Sequence, residues 1–424
     1  MKVVPFDQAA IPQSDKGKRL KQRDYLQEGS LAVIDQGQQQ VGGYTDDQTM
    51  AFEGELPVVL FGDHTRSVKL VNHSFAVGAD GIKIFRPAEG VRTKYLFYWM
   101  KGAPIPDRGY GRHYQFLRQL SVPLPSEDEQ DEIVAELEKQ FSRLDEAVAN
   151  LQRVKANLKR YKASVLKAAV EGRLVETEAT LARREGRTFE TGEQLLQRIL
   201  EERRAKWRGK GRYKEPVAQT AEFTIAVTDG WTSATVDQLA SVQLGKMLDK
   251  QKHKAGEPYR YLRNINVRWG TFDVSDVFEM NFESDELERF SVRAGDVLVC
   301  EGGEPARAAV WRAKQTDMKY QKALHRVRFD GAYLPDLIVI ALEHLAKSGA
   351  LDELYGGSTI KHFTRETFVK LVLPVPPAAE QARIVAEVDR HLSIIREVEV
   401  EVEANLQRAQ ALRQATLAKA FANT

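Results

Sequence analysis

Side chains with forked or paired hydrogen-bond donors and acceptors recur in the polar segments of this 424-residue chain. Before residue 125 they are Gln36, Gln38, Tyr44, His64, Arg66, Arg112 and His113. In residues 221–376 they are Lys246, Lys252, His253, Arg260, Arg263, Asn264, Asn266, Arg268, Lys361 and His362. Arg, Lys, Asn, Gln and His are the types that match base edges in the major groove of duplex DNA. Each could equally hold a phosphate or remain a surface residue. Asp63 beside His64 has the makings of an acid–base pair, but a lone Asp-His in a strand turn is more often structural or ligand-contacting. Glu301, Glu304 and Arg307 read as a solvated Gly-rich turn.

Bond-making chemistry is otherwise missing from the sequence. There is no G-x-x-x-x-G-K-[ST], G-x-G-x-x-G or H-E-x-x-H, no G-x-S-x-G, and no Asn-Pro-Pro-aromatic string of the kind that serves a flipped base. The lone Cys300 excludes a disulfide framework and a cysteine zinc site. With 62 Lys+Arg against 60 Asp+Glu, the net charge of +2 argues against a wholly basic, histone-like binder. A hydrophobic share of 42% is enough for real cores, and 424 residues suit two or three domains. No run is long enough to span a bilayer, and MKVVPFDQ does not resemble a secretion signal, so the expectation is a soluble cytoplasmic protein.

The elements that must present these side chains occur twice. LSVPLPSEDEQDEIVAEL from Leu120 and LVLPVPPAAEQARIVAEV from Leu371 share nine identities in eighteen positions, including P-x-P and E-Q-x-x-I-V-A-E. Ser126 and Glu129 form a capping box that opens a helix with no Pro or Gly before Gly172. Ile133, Leu137, Phe141, Leu144, Val148, Leu151, Val154, Leu158, Tyr161 and Val165 follow at steps of three or four, a coiled-coil stripe. At 1.5 Å per residue such a rod runs roughly 65–70 Å. The second tail begins at Pro377 and carries Ile384, Val388, Ile395, Val398, Val402, Ala409 and Leu412. Neither stripe can be buried alone, and the simplest partner for each is the other.

The segments before the tails are rich in short strands and Gly turns, as in VVLFGDHTRSVKLV and YRYLRNINVRWG, with a short helix expected near Asp336–Lys347. Between the halves, seven bases and no acid lie from Arg203 to Lys214, interleaved with Trp207 and Tyr213. That connector is a solvated linker or a strip facing phosphate or a partner. Acids gather at Glu127, Asp128, Glu129, Asp131 and Glu132 and from Glu397 to Glu403, so the near-neutral total conceals local imbalance.

Taken together, these strings resemble the specificity (S) subunit of type I restriction–modification systems. VIDQG at Val33, GYTDD at Gly43, FGDHTR at Phe61, VGADGIKIF at Val77 and RHYQFL at Arg112 carry the likeness in the first half. LLQRILEERRAKW at Leu195, YKEP at Tyr213, DGW at Asp229, YLRNINV at Tyr261, AGDVLVCEGG at Ala294 and LPVPPAAEQ at Leu373 continue it. The first half departs from the second in having no D-G-W before its D-Q element. The resemblance implies an α+β fold with a pseudo-twofold internal repeat. Target-recognition domains would span 1–125 and 221–376, with antiparallel spacer helices at 126–175 and 377–424 and a basic connector at 176–220. It implies one domain per half of a split double-stranded DNA site, and no catalysis or cofactor in this chain. S-adenosylmethionine, ATP and Mg would belong to partners: two modification subunits that methylate adenine N6, and restriction subunits. Arg203, Arg204, Lys206 and Trp207 are the candidates for docking those partners. A coiled-coil adaptor or a diverged DNA-modifying enzyme is the alternative. The half-site sequences and their spacing have no code in these residues.

Overall fold

The computed structural model describes the chain apart from residues 1, 79–80, 110, 210, 221–224, 226, 248–255, 315–316, 358–360 and 423–424. Its contacts divide it into two compact units, Met1–Val154 with Val400–Thr424, and Lys155–Glu399. The division falls inside two long helices, so each helix contributes to both units.

The first unit starts with β1 (Lys2–Pro5), the single turn α1 (Phe6–Ala9) and β2 (Ala10–Gln13). Then come β3 (Leu31–Ile34), β4 (Gly43–Thr45), β5 (Val58–Gly62), β6 (Val68–Val71), β7 (Phe75–Val77) and β8 (Ile82–Pro87). Helix α2 (Thr93–Gly102), the turn α3 (Tyr114–Leu117) and β9 (Ser121–Leu124) lead into α4 (Glu127–Val170). One sheet has the order β2-β8-β5-β6, a second β4-β3-β7, and β1 pairs with β9. The apolar run of β5 fits its place, since it has a neighbour on either side and is buried along its whole length. Phe6, Phe85, Tyr95 and Trp99 fill the core between the larger sheet and α2.

The second unit contains α5 (Glu178–Glu185), α6 (Gly192–Ala205), β10 (Thr232–Thr235), α7 (Val236–Leu239), β11 (Ser241–Leu244) and β12 (Glu257–Leu262). A hairpin of β13 (Val267–Arg268) and β14 (Thr271–Phe272) precedes β15 (Phe278–Phe282) and the turn α8 (Glu286–Arg289). Next are β16 (Val297–Cys300), β17 (Ala308–Val310), β18 (Lys319–Tyr320), β19 (Leu324–Arg328) and α9 (Pro335–Ser348). The turn α10 (Arg365–Phe368) and β20 (Val372–Val375) lead into α11 (Ala378–Ala422). The sheets are β11-β19-β16-β17, β15-β12-β18 and β10-β20, with the hairpin added. Strand for strand this repeats the first unit, down to a parallel strand pairing in each, β3 with β7 and β12 with β18. The duplication legible in the tails thus extends through the sheets.

The repeated P-x-P and E-Q strings form a joint between each sheet domain and its long helix. Pro123 and Pro374 sit on β9 and β20, edge strands of two-stranded sheets, where a missing N–H costs little, and Pro125 and Pro376 follow those strands. Behind them Gln130 and Gln381 are fully buried. Gln130 Oε1 accepts the Arg92 N–H at 2.8 Å, at the cap of α2, while Nε2 donates to the carbonyls of Gly90 (2.9 Å) and Pro125 (3.1 Å). Gln381 Oε1 accepts the Leu334 N–H at 2.8 Å, at the cap of α9, and Nε2 donates to Pro376 O at 2.9 Å. Tyr95 and Tyr333 send their hydroxyls to the carbonyls of Pro123 (2.7 Å) and Pro374 (3.3 Å). The glutamates beside these glutamines diverge for a local reason. Glu129 closes the expected capping box on the Ser126 N–H at 2.8 Å. The matching position Pro377 has no N–H to offer, and Glu380 instead accepts Trp231 Nε1–H at 2.9 Å and the Glu178 N–H at 2.8 Å. The D-G-W string present in the second half alone supplies that tryptophan.

Within the first unit, Leu137 and Phe141 of α4 pack on Leu417 of α11. Arg413 there pairs with Asp145 and lies 4.7 Å over the Phe141 ring. Within the second unit, Val165, Leu166 and Ala169 pack with Ile384 and Val388, and Tyr161 Oη meets His391 Nδ1 at 2.8 Å. In each unit later residues of α4 face earlier residues of α11, so the segments run antiparallel. The expected stripe is not buried throughout: Val154 keeps 38% and Leu412 53% of its surface exposed. A straight helix drifts off a 3.5-residue repeat in this way.

Helix α6, in the connector, is part of the second core, while most of the basic stretch that follows it is exposed. Thr191 and Gln194 cap α6 reciprocally, and Leu195 and Ile199 are fully buried among the residues around β10 and α7.

Two stability measurements test this account. Gln130→Ala and Gln381→Ala leave buried N–H and C=O groups unpaired, and each should cost about 2–3 kcal/mol in urea unfolding. Ser126→Ala, at an exposed cap, should cost about 1 kcal/mol. The second concerns His325 of β19, which is fully buried with Nε2 2.8 Å from Phe363 O. Burial pushes its pKa down from 6.5 to about 4, so the folded state keeps the imidazole neutral while the unfolded chain protonates it. Its contribution is complete above the unfolded value and is lost as pH falls towards the folded one. Stability should be about 2 kcal/mol lower at pH 5 than at pH 7 from this group. His325→Gln should flatten that difference.

Candidate nucleic-acid interface

In the first unit, four loops meet at Asp63, which follows the end of β5. Its N–H donates to Gly81 O at 2.7 Å, and its carbonyl accepts the His113 N–H at 2.8 Å. Its carboxylate accepts the Tyr114 N–H at 2.8 Å. The loop after β3 joins through Gln36, whose Oε1 accepts the His64 N–H at 3.2 Å and whose carbonyl accepts from Ser67 Oγ at 2.8 Å. Asp35 braces that loop from below, accepting the Gly37 N–H at 2.8 Å and facing buried Lys69 at 3.5 Å. Burial lowers the pKa of Lys69 despite this carboxylate. Arg66 sits at a left-handed φ of 58° and reaches Ile105 O at 3.2 Å and Asp107 at 2.6 Å. Asp63 and His64 are therefore a structural hinge of loops, and the buried carboxylate is spent on backbone.

The second unit builds the same node from different side chains. The Glu301 N–H donates to Ala323 O at 2.9 Å, and its carbonyl accepts the Phe363 N–H at 2.7 Å. Asn264, in the place of Gln36, donates Nδ2 to Gly302 O at 3.4 Å. Arg307 holds the Asn264 carbonyl at 2.8 Å and Glu304 at 2.7 Å, and Trp269 donates to Glu304 at 2.7 Å. Glu304 and Arg307 brace the turn they sit in, Glu304 exposed and Arg307 largely buried. Cys300 beneath them is fully buried, and burial pushes its thiol up to about 11, which leaves no nucleophile.

These geometries sort the sequence candidates. Gln38, Arg112, Arg260, Arg268, Lys361 and His362 are exposed, while Gln36, Tyr44, His64, Arg66, Arg263 and Asn264 are half-buried. Three expectations are corrected. His113 is fully buried, with Nδ1 2.9 Å from Asp63 O. Lys246 is buried against Asn281 O (3.0 Å), Glu286 and the Phe282 ring. Asn266 is buried with both ends of its amide bonded to backbone. In each, a polar residue was needed to satisfy the loop's own backbone. Lys252 and His253 lie outside the described residues. The docking candidates are also occupied within the chain. Arg203 donates to the carbonyls of Asp237 and Gln238 (2.8 Å) at the end of α7. Arg204 pairs with Glu215, and Lys206 reaches Glu202 (3.2 Å) and Asp330 O (3.1 Å). Trp207 remains 44% exposed, edge-on to Tyr213.

Sequence reading passed over Lys69, Ile265 and the sign change along α4. Arg153, Lys155, Lys159, Arg160, Lys162 and Lys167 follow Glu146 with no acid up to Val170. That run is visible in the sequence once the helix is scored for charge as well as for stripe. No helix among the described residues is long and apolar enough to cross a membrane.

No family model matches the chain. The type I restriction enzyme EcoKI specificity subunit of Escherichia coli (strain K12) is 26% identical over 185 residues. That stretch is 42% of this chain and 40% of the relative, so the match spans well under half of the relative's length. A solved chain described under complex assembly and conformational transition of the type I R-M system superposes with a TM-score of 0.59 at 14% identity. It covers 99% of this chain and 97% of its own. The HsdS subunit of Thermoanaerobacter tengcongensis, 13% identical, aligns at 0.49 over 99% of this chain and 96% of that one. The chain thus has the fold of a type I restriction–modification component, and the stretch of matched sequence makes it similar to the specificity subunits of those systems.

Proposed function

We propose that this chain is the DNA-reading specificity subunit of a type I restriction–modification complex. Each unit reads one half of a split duplex site with its loop node, and the chain itself carries no catalytic group. One observation carries the reading: a single chain holds two units that share nine strands in the same order, and each converges its polar loops on one node. A two-part reader of this kind suits a two-part site, as symmetric binders suit paired half-sites. Exposed Gln38 and Arg112 in one unit, and Arg260, Arg268, Lys361 and His362 in the other, are the side chains best placed to meet bases or phosphates. The basic run of α4 adds sequence-independent attraction to phosphate. The uninterrupted lengths of α4 and α11 support a role in setting the half-site spacing. Two modification subunits using S-adenosylmethionine for adenine-N6 methylation, and ATP- and Mg-dependent restriction subunits, would supply the chemistry. Trp207 is the member of the connector best placed to meet one of them.

Mapping modified adenines in a genome expressing this chain with its modification partner should give one split motif with a fixed gap. Replacing residues 1–125 by another recognition domain should change one half of that motif and leave the other half and the gap alone. Binding of the complex to duplex DNA should fall about a hundredfold between 50 and 200 mM salt, as expected for roughly four phosphate contacts. A salt-independent affinity would favour the coiled-coil adaptor, and methylation by the isolated chain would favour an enzyme.

A further inference from the structure

The turn that follows β12 is fixed more firmly than a solvent-facing turn needs. Asn266 donates Nδ2 to the carbonyls of Asp273 (2.9 Å) and Asp276 (2.8 Å) and accepts the Arg263 N–H at 2.9 Å. The Asp273 N–H returns to Asn266 O at 2.8 Å. Asn264 Oδ1 accepts the Ile265 N–H at 2.9 Å, and the Asn264 carbonyl is held by Arg307. The Arg263 guanidinium lies 3.8 Å over the Phe278 ring and reaches Asp276 at 2.8 Å. At the apex of this network stands Ile265, 50% exposed.

A single exposed aliphatic side chain is ordinary on a protein surface. What sets Ile265 apart is that its backbone is locked on both sides by side-chain bonds, and a β-branched residue has little freedom left at χ1. Its methyl groups are held at a defined position before any partner arrives, so binding need not order them. Polar side chains suited to phosphate lie beside it: Arg268 is exposed three residues on, 3.7 Å from Asp273, and His362 borders Gly302, the loop to which Asn264 is bonded. At the matching position after β3 the first unit has Gly37, which has no side chain, followed by exposed Gln38. The first unit therefore offers no side chain where the second offers methyl groups, and an exposed amide one residue on. On a base edge in the major groove, the one apolar group is the C5 methyl of thymine.

We propose that Ile265 is a specificity-determining residue that packs on a thymine methyl group in the half-site of the second unit, with Arg268 and His362 on the adjoining backbone. This rests on the DNA-reading role above. The test compares the full complex carrying the wild-type chain, Ile265→Ala and Ile265→Val on oligonucleotides containing its mapped site, with each thymine of the second half-site replaced in turn by uracil. For wild type, one replacement should weaken binding about fourfold, the worth of one buried methyl group. Ile265→Ala should lose that discrimination, Ile265→Val should keep part of it, and binding to the first half-site should not respond to uracil in any way that depends on residue 265. In the mapped genome, Ile265→Ala should admit other base pairs at that one position. If no uracil replacement is felt by wild type, or if Ile265→Ala feels it equally, the assignment is wrong while the DNA-reading role stands. If the wild-type complex shows no sequence preference at all, both fall.

Discussion

The fold turns on the cost of burying an amide. Gln130 and Gln381 stand at the points where a sheet domain becomes a long helix, and each is cut off from water. An amide there must find partners within the protein. Both find them in the same two places, the backbone N–H at the cap of α2 or α9 and the carbonyl of the proline just after β9 or β20. The direction in which α4 leaves one sheet domain, and α11 the other, is thereby fixed by short bonds between elements that are neighbours in space. A rod attached through an apolar contact alone could swivel. One attached through a bonded amide cannot do so without exposing unpaired polar groups.

The two joints also show how a duplicated sequence diverges without losing its architecture. The glutamate beside each glutamine is the same residue in the same string, yet Glu129 caps its own helix while Glu380 anchors Trp231 and α5. The cause is one position, Ser126 against Pro377. A serine can exchange bonds with the glutamate; a proline sets φ for a helix start but has no N–H to give. The released carboxylate, pushed upward in pKa by its burial, is then worth keeping only if something donates to it, and the indole and the α5 N-terminus do.

Much of this was legible in the sequence. The repeat, the capping box, the run of α4 and the helix at 335–348 all follow from local patterns that tertiary packing does not override. The site was legible only in part. His113, Lys246 and Asn266 have the right chemistry for a nucleic acid but are consumed by backbone of their own loops. No periodicity distinguishes a polar residue that supports a loop from one that the loop presents. In the connector, too, sequence does not show which bases are tied down: Arg203 and Lys206 close on carbonyls of the second unit. Ile265 was invisible because apolar residues are sought in cores.

The nodes at Asp63 and Glu301 suggest why such a design can change what it reads. In both units two bonds that bring the loops together run from backbone N–H to backbone C=O: residue 63 to 81 and 113 to 63, and 301 to 323 and 363 to 301. Bonds of that kind do not depend on which side chain is present. One amide per unit, Gln36 or Asn264, then ties the first loop to the second, and a few side chains such as Asp63 and Arg307 brace the rest. The two units of this chain are already an instance, since the same node carries His64 and Arg112 in one and Gly302 and His362 in the other. A backbone-built node keeps the loops in place while the side chains that face outward are free to differ, which separates the requirement to fold from the requirement to discriminate.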